Sequence, residues 1–341
     1  MRARTVLVAL LGLALLAPPA AGGTARFRAL VFTKTAGFRH TGIDDGVAAL
    51  QALADERNFA VVHAEDAGIF TDDGLRPFDA VVFLLTSGDV LTADQESAFR
   101  RFIRDGGGFV GVHSAADTEH GSAWYGNLVG GFFVFHPATQ EGAVRVTDRR
   151  HPSTRFLPRK WRRADEWYEF DRNPRRRAHV LATVDERSYD GGSMGSDHPI
   201  AWCHRFQGGR SWYTAQGHPD ESYAEPRFRR HLLKGLEWAA GEVKGDCGLD
   251  ADPDVVSIRH DAAAGAFQGG VFAASGRCER RRRVEVRKLR PGPDRVVGRR
   301  RTNGTGDWRL AGIDAPVGRF RAAAPADRPC PALRSTPIRL G

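Results

Sequence analysis

Short apolar runs alternate with segments of helical periodicity between residues 27 and 241, a pattern typical of α/β proteins. The runs that have the composition of buried strands are Phe27–Thr33, Phe59–Val62 and Asp79–Thr86. The apolar face of the first intervening helix is formed by Ile43, Val47, Leu50 and Leu53. This β-α-β-α-β order predicts a parallel sheet whose crossover connections are right-handed.

A capping box and a glycine run delimit the next helix. Thr92–Gln95 has the spacing of a capping box, and Gly106–Gly108 is expected to end the helix. Phe109–Val112 then has the pattern of a buried strand, which we expect to turn sharply at His113. Ligands of open α/β sheets bind just outside the carboxyl ends of the strands. An elbow at this place would therefore present the His113 imidazole as a base, an acid or a metal ligand.

The strand patterns between residues 140 and 216 are shorter and less regular. They are Val144–Val146, Val180–Ala182, Ile200–His204 and Ser211–Thr214. A final helix is predicted to begin near Glu225, with Pro226 well placed in its first turn. Its apolar face consists of Phe228, Leu232, Leu236 and Ala239.

After Gly241 the helical periodicity disappears, and short alternating runs are separated by glycine and proline turns. These runs include Val255–Ile258, Gly270–Phe272, Val284–Val286, Asp307–Leu310 and Gly318–Arg321. They predict a small antiparallel β-sandwich. We expect an α/β domain over residues 26–245 and an accessory β-sandwich over residues 250–341, a division that 341 residues easily allow.

The N-terminus has the organisation of a signal peptide. Arg2 and Arg4 form a charged region, Val6–Ala17 is a 12-residue apolar run, and Ala20–Gly22 supplies small residues for cleavage. The apolar run is shorter than the roughly 20 residues that a membrane span needs. We therefore expect residues 1–25 to be a cleaved signal and the protein to be secreted or located in the cell envelope. An uncleaved N-terminal anchor is the alternative.

The four cysteines are Cys203, Cys247, Cys278 and Cys330, an even number that suggests two disulfides in an oxidising compartment. Pairing within each domain, 203 with 247 and 278 with 330, is the simplest of the three possible connectivities. A thiolate zinc site is disfavoured because no CxxC pair is present. An ordinary buried thiol at Cys203 is the alternative.

The formal net charge of +9 is concentrated in the C-terminal part of the chain. Residues 251–341 contain 19 Lys+Arg and 9 Asp+Glu, whereas the preceding residues contain 31 and 32. The densest basic run, Arg280–Arg283, leads into a predicted strand and has no interleaved aromatic platform for single-stranded nucleic acid. We therefore expect its alternate arginines to face solvent and no nucleic acid to be a partner.

Several histidines occur beside glycine, proline or a predicted strand end. They are His40, His113, His136, His198 and His218. His40, His113 and His218 follow strands that would end at one carboxyl edge of the sheet. We expect the imidazoles of His113 and His218 to lie within roughly 8 Å of each other, close enough to share one ligand. Taken singly, each histidine is more often a structural residue than a catalyst.

Residues 28–241 resemble the ThuA-like (trehalose utilisation) family of the class I glutamine amidotransferase-like superfamily. The resemblance rests, in order, on Phe38–His40, Gly106–Ala115, Gly130–Phe132, Phe135–Pro137, His151–Pro152, Asp165–Tyr168, Asp197–Trp202, Gly208–Arg210 and Gly217–His218. It implies a flavodoxin-like layered fold and an activity connected with sugars and disaccharides, including oxidised keto-sugars. His113 stands where the amidotransferases have a cysteine, so glutamine hydrolysis is not expected.

We first consider an exported enzyme that acts on a disaccharide or keto-sugar, as a hydrolase, lyase or isomerase. The expected catalytic residues are His113, His218 and Glu166, acting as acid and base or with a metal. A divalent metal such as zinc would be held by His113, His136 and His218, with Glu166 as an alternative third ligand. The residues expected to bind the substrate are His40, Tyr168, Trp124, Asp197 and His198.

The second hypothesis is a non-catalytic carbohydrate-binding or scaffold module. Its stacking platforms for sugar rings would be Trp124, Trp167, Tyr168 and Trp202, although the same aromatic residues would also suit a core. In both hypotheses the partner is a small-molecule carbohydrate, and no membrane contact is expected after signal cleavage.

Overall fold

The structure is a computed structural model. It describes residues 24–247, 255–256, 258–261, 265–272, 278, 281–303, 307–312, 317–327, 330, 332–334 and 338–340. The predicted signal peptide, residues 1–25, lies outside the described residues apart from Thr24 and Ala25. Within the described part of the chain, no helix is both long and apolar enough to span a membrane.

The first part of the chain is built on a nine-stranded sheet in the order β2-β1-β3-β4-β11-β10-β9-β6-β7. Its strands are β1 (Arg28–Phe32), β2 (Ala60–Ala64), β3 (Ala80–Leu84), β4 (Gly108–Val112), β6 (Gln140–Val146), β7 (Lys160–Asp165), β9 (His179–Asp185), β10 (His198–Phe206) and β11 (Gly209–Thr214). A separate two-stranded ribbon consists of β5 (Phe133–Phe135) and β8 (Glu169–Phe170). The α-helices are α1 (Ile43–Arg57), α2 (Asp72–Leu75), α3 (Ala93–Arg104), α4 (Ala123–Val129) and α5 (Pro226–Ala239).

Five neighbouring strands, β2, β1, β3, β4 and β11, pair in parallel, as the sequence pattern predicts. β3 is buried along its whole length, as its continuous apolar run requires. α3 begins with the predicted capping box between Thr92 and Gln95. From β1 the chain steps to one side, to β2, whereas from β3 it steps to the other side, to β4. This reversal places a ligand crevice at the carboxyl edge of these strands.

The short strands predicted between residues 140 and 216 form and join the main sheet. β10 pairs with β11 and β9, and β6 pairs with β9 and β7, in each case antiparallel. These strands therefore extend the parallel sheet by four members. β7 was missed because its sequence, KWRRAD, has few apolar residues. Its burial nevertheless alternates, so that one face is packed and the other is solvated.

The later part of the chain forms two antiparallel sheets, which confirms the predicted all-β region. The first contains β12 (Val255–Val256), β13 (Arg259–Asp261), β14 (Ala266–Phe272) and β17 (Asp307–Ala311). The second contains β15 (Arg283–Leu289), β16 (Arg295–Arg301), β18 (Gly318–Ala324), β19 (Leu333–Arg334) and β20 (Ile338–Leu340). Their buried apolar side chains form a cluster of their own, separate from the cluster of the first part.

The arginines before β15 alternate in exposure, which confirms the expectation that alternate arginines of this run face solvent. Arg281 and Arg283 are exposed, but Arg282 is buried and its Nη2 donates a hydrogen bond to the carbonyl of Pro325 2.8 Å away. A backbone acceptor near the end of β18 therefore accounts for one of these arginines. Arg280 lies outside the described residues.

Both disulfides form as predicted. Cys203 pairs with Cys247 and Cys278 pairs with Cys330, with Cα atoms 5.5 and 5.4 Å apart. The first bond ties β10 to the segment that follows α5, and the second joins residues within the later β region. His151 lies close to the two sulfurs of the first disulfide. Because these sulfurs are bonded to each other and are not thiolates, the three residues do not form a thiolate metal site.

We predict that the Cys278→Ala/Cys330→Ala double variant loses stability mainly in the β region. Closing a loop with a sequence separation of 52 residues contributes about 4 kcal/mol in the chain-entropy model. Differential scanning calorimetry should show a transition of the β region that moves to lower temperature while the α/β transition stays in place. A uniform shift of both transitions would contradict this expectation.

Three buried histidines away from the strand edge predict acid sensitivity. Burial lowers the pKa of His151 to about 3, and those of His204 and His231 to about 4. The unfolded chain takes up these protons as the pH falls through about 6.5, and the folded chain does not. The stabilisation is therefore complete above that pH and is lost towards pH 4, at about 1.4 kcal/mol per pH unit for each histidine.

Urea titrations between pH 8 and pH 4 should show this loss. In the His204→Asn variant, the free energy of unfolding should fall less steeply with decreasing pH, because one of the three histidines no longer contributes. The variant should therefore become more stable relative to the original chain as the pH falls. A slope identical in the two proteins would show that His204 is protonated in the folded state.

A candidate histidine–carboxylate centre

Three strands bring histidines to one edge of the parallel sheet. His40 follows β1, His113 comes directly after β4, and His218 follows β11. The ring centroids are 5.0 Å apart for His40 and His113, 5.4 Å for His40 and His218, and 5.3 Å for His113 and His218. The last distance lies within the 8 Å expected from the sequence. One ligand atom from each ring and one from Glu166 lie within 4.8 Å of one another.

The buried carboxylate of Asp165 fixes Glu166 and His218 at this edge. Its Oδ1 accepts hydrogen bonds from the backbone N–H groups of Glu166 and His218, both 3.1 Å away. Its Oδ2 accepts a hydrogen bond of 3.0 Å from the N–H of Gly217, and Arg163 pairs with the same oxygen at 3.2 Å. Asp165 thus ties the end of β7 to the segment after β11.

Gly217 has a backbone conformation that only glycine tolerates well. Its φ is +108°, and a Cβ there would lie 2.9 Å from the ring of Phe228. The glycine therefore lets the chain turn directly before His218.

His113 is held in a strained elbow. Its φ of +50° is left-handed, which is uncommon for a residue with a side chain. The hydroxyl of Tyr213 donates a hydrogen bond to its carbonyl at 2.8 Å, and its Nδ1 lies 2.7 Å from the carbonyl of Ala215. Because a carbonyl only accepts, the proton is on Nδ1 and Nε2 faces the centre.

The nitrogens that face Glu166 lack aligned hydrogen bonds. Nε2 of His113 lies 3.4 Å and Nδ1 of His218 lies 3.1 Å from Oε2 of Glu166. These are ion-pair distances, yet both nitrogens are buried and neither makes a hydrogen bond of acceptable geometry. In neutral His113 the Nε2 lone pair would face a carboxylate oxygen, so a proton or a cation is needed between them.

The electrostatics of the centre favour an ionised carboxylate. Burial alone would raise the pKa of Glu166, but the imidazoles of His113 and His218 outweigh it and hold this pKa well below its usual range. The contact with Glu166 raises the pKa of His218. Burial, followed by repulsion from His113 and His218, lowers the pKa of His40 to about 3. His40 is therefore neutral near pH 7.

Of the predicted metal ligands, His136 lies beside the group rather than within it. Its Nδ1 is 3.5 Å from Oε1 of Glu166, on the other carboxylate oxygen, and its side chain is partly exposed. His40, which we had expected to bind substrate, occupies the third histidine position. Whether His40 reaches this position depends on the length and path of the loop after β1, which the sequence pattern does not define.

Tyr168 lies against the centre, whereas the predicted substrate-binding residues His198 and Asp197 have other partners. The Tyr168 ring is 4.1 Å from the ring of His113. His198 donates from Nε2 to the Tyr168 carbonyl at 2.9 Å, while its Nδ1 is 2.8 Å from Glu186. Asp197 pairs with Arg175 at the surface. His198 therefore positions Tyr168, and neither it nor Asp197 joins the four-residue group.

Glu169, Glu186 and His198 form a second group with metal-like composition, but its carboxylates are already satisfied. Glu186 accepts hydrogen bonds of 2.8 Å from the backbone N–H groups of Met194 and Gly195. Glu169 accepts from the N–H and the hydroxyl of Ser193 at 3.0 and 2.8 Å. This group therefore secures a glycine-rich loop.

Trp124 is not a platform for substrate. The side chain is completely buried, its Nε1 donates to Gln207, and it packs against Phe99 and Phe206. Trp167 and Trp202 are also buried, and their indole N–H groups donate to backbone carbonyls. No face of these three rings is free for a sugar, because core side chains already cover both faces.

The fold and the centre define a flavodoxin-like α/β protein with a histidine–carboxylate cluster at the carboxyl edge of its sheet. The family model of ThuA, described as trehalose utilisation, matches residues 28–239, and the chain belongs to this family.

Among solved structures, the chain is similar to a ThuA-like protein from Bacteroides uniformis, with a TM-score of 0.57 and 24% identity over 65% of this chain and 95% of that chain. A ThuA-like protein from Parabacteroides merdae gives 0.55 and 22%, over 64% and 92%. At this level of identity the two likenesses show the fold. No curated protein matches the chain.

We predict that Asp165→Asn strongly destabilises the protein. The amide nitrogen cannot accept the backbone hydrogen bonds, and each buried N–H group left without an acceptor costs about 1–3 kcal/mol. Arg163 also loses this ion pair and keeps its pair with Glu225, 3.1 Å away. Asp197→Asn removes the carboxylate charge from an exposed pair with Arg175 and should cost at most about 1 kcal/mol. Urea denaturation would compare the two variants, and equal losses would refute the anchoring role of Asp165.

Proposed function

We propose that this chain is an enzyme that holds a divalent cation through His40, His113, His218 and Glu166 and acts on a carbohydrate. One observation carries the proposal: buried, unaligned imidazole nitrogens and a carboxylate oxygen converge on a single point. A cation there would satisfy the lone pair of His113 and the charge of Glu166 together. Three imidazoles and one carboxylate are ligands that zinc and other first-row divalent metals accept.

The surroundings of these residues resemble the second shell of a metal site. The Ala215 carbonyl fixes the tautomer of His113, and Ser114 Oγ lies 3.3 Å from Nδ1 of His40. Neutral His40 and ionised Glu166 are in the protonation states that a cation needs, whereas His218, whose pKa Glu166 raises, would release its proton when a cation binds. A bound divalent ion would supply Lewis-acid polarisation of a substrate oxygen or a more acidic water.

The chain's own residues supply the remaining functions in this proposal. His136 is partly exposed and lies beside the outer oxygen of Glu166, where it can exchange a proton with substrate or solvent. The rings of His113 and Tyr168 close the floor of the centre. The reaction belongs to the hydrolase, lyase or isomerase class, and family membership favours a disaccharide or keto-sugar as substrate. Glutamine hydrolysis is not proposed, since the elbow carries an imidazole.

The proposal includes export. The signal pattern of residues 1–25 and the two disulfides support a secreted or cell-envelope location. A carbohydrate-active protein in that location would meet its substrate outside the cytoplasm.

We predict about one equivalent of divalent metal in the purified full-length protein, measured for all first-row metals by inductively coupled plasma mass spectrometry. His113→Ala and Glu166→Gln should each weaken metal binding by more than the 10–100-fold that is typical when only a hydrogen-bond partner of a ligand is lost. His63→Gln, on the exposed edge strand β2, is the matched control and should retain the metal.

The same proteins should be incubated with disaccharides and their keto forms and analysed by mass spectrometry. Turnover by the original chain and by His63→Gln, but not by His113→Ala, is the expected result. Metal-free protein with full turnover would favour a metal-independent acid–base pair of Glu166 and His218. Stoichiometric sugar binding without turnover would favour the non-catalytic binding module.

A further inference from the structure

The described surface has few exposed large apolar side chains, and most of them border the histidine–carboxylate centre. They are Phe38, Val134, Phe135 and Val317, with exposed fractions of 66%, 57%, 54% and 62%. Phe38 is two residues from His40, and Val134 and Phe135 directly precede His136. Exposed apolar groups around a polar centre are characteristic of ligand-binding grooves.

The two exposed phenylalanines contact different histidines at the centre. The ring centroid of Phe38 lies 4.8 Å from that of His40, in an edge-to-face arrangement. The ring of Phe135 is 6.3 Å from that of His136 and nearly parallel to it, and His136 in turn lies beside Glu166. Neither ring belongs to the four-residue group, so each keeps a face for another molecule.

Both rings stand on anchored backbone. The N–H groups of Ala36 and Gly37 donate to the carbonyl of Ser87 at 2.7 and 3.2 Å, and the hydroxyl of Ser87 donates to the carbonyl of Phe38. Phe135 ends β5 and pairs with Glu169 of β8. An apolar ring on anchored backbone is partly preorganised for a ligand, because little backbone freedom is lost when the ring is covered.

We propose that Phe38 and Phe135 are two sugar-stacking subsites, one beside His40 and one beside His136, that hold the two rings of a disaccharide at the histidine–carboxylate centre. A pyranose ring has an apolar C–H face and a hydroxyl-bearing edge. The phenylalanine rings match the face, and the imidazoles and carboxylate match the hydroxyls. The inference rests on the proposed function for the nature of the ligand, and it adds that a two-ring sugar binds better than a one-ring sugar.

Isothermal titration calorimetry on the full chain, loaded with zinc, would test this with trehalose, maltose, cellobiose, sucrose and glucose as probes. At least one disaccharide should bind more tightly than glucose. Phe38→Ala and Phe135→Ala should each weaken that disaccharide about tenfold, in line with the loss of one covered aromatic ring. Both variants should bind it with an affinity close to that for glucose.

Val317→Ala is the matched control, because it removes an equally exposed apolar side chain in the later β region. It should leave sugar affinity unchanged. Thermal denaturation of each variant checks that the substitutions act on binding rather than on folding.

Other outcomes would overturn the inference. One is that none of the disaccharides binds, and another is that affinity is unchanged in both phenylalanine variants. A third is that light scattering shows a dimer that Phe38→Ala or Phe135→Ala dissociates, which would make these rings an interface between copies. Repeating the titration after chelation separates the two proposals: ring-dependent disaccharide binding without a stoichiometric metal would remove the metal centre and keep the subsites.

Discussion

The carboxylate of Asp165 connects two parts of the sheet that are four strand positions apart. In the order β11-β10-β9-β6-β7, a flat sheet would separate β7 from β11 by roughly 19 Å. Yet Asp165, the last residue of β7, accepts hydrogen bonds from Gly217 and His218, just beyond β11. The antiparallel half must therefore curl back over the carboxyl edge of the parallel half. The histidine–carboxylate centre exists only because of this closure, which brings Glu166 to the histidines.

Two groups of histidines and carboxylates have similar composition, and their hydrogen bonds distinguish them. The carboxylates of Glu169 and Glu186 accept hydrogen bonds from the Ser193 hydroxyl and from backbone N–H groups of the loop at residues 193–195, so that group is structural. The buried imidazole nitrogens of His113 and His218 that face Glu166 lie at ion-pair distance from its carboxylate but make no aligned hydrogen bond. Buried polar groups without hydrogen bonds destabilise the folded protein. A site that retains such groups is therefore a candidate for binding a ligand or a metal ion.

The cost of the centre extends to the backbone and to the surface. His113 adopts a left-handed conformation that its neighbours Tyr213 and Ala215 enforce through hydrogen bonds. Phe38 and Phe135 leave most of their apolar surface in water nearby. Backbone strain, buried nitrogens without aligned hydrogen bonds, and exposed rings are each unfavourable for stability alone. Their coincidence at one edge of the sheet is the physical basis of both proposals.

The sequence by itself determined the elements that local patterns control. Apolar runs and helical periodicity predicted β1, α1, β3, α3 and β4, the parallel order of these strands, and the later antiparallel sheets. The spacing of strand ends also predicted that His113 and His218 would meet, because carboxyl ends of parallel strands share one edge. The even number of cysteines and their distribution, two in each predicted domain, predicted both disulfides.

Tertiary structure decided which side chains complete the centre and which of them a ligand can reach. His40 rather than His136 joins His113 and His218, because the loop after β1 returns its imidazole to the edge. Trp124 enters the core, and His198 supports Tyr168, because contacts distant in the sequence fix their orientations. Phe38 and Phe135 carry no sequence signal that separates them from core aromatics: only the folded chain determines which rings remain in solvent.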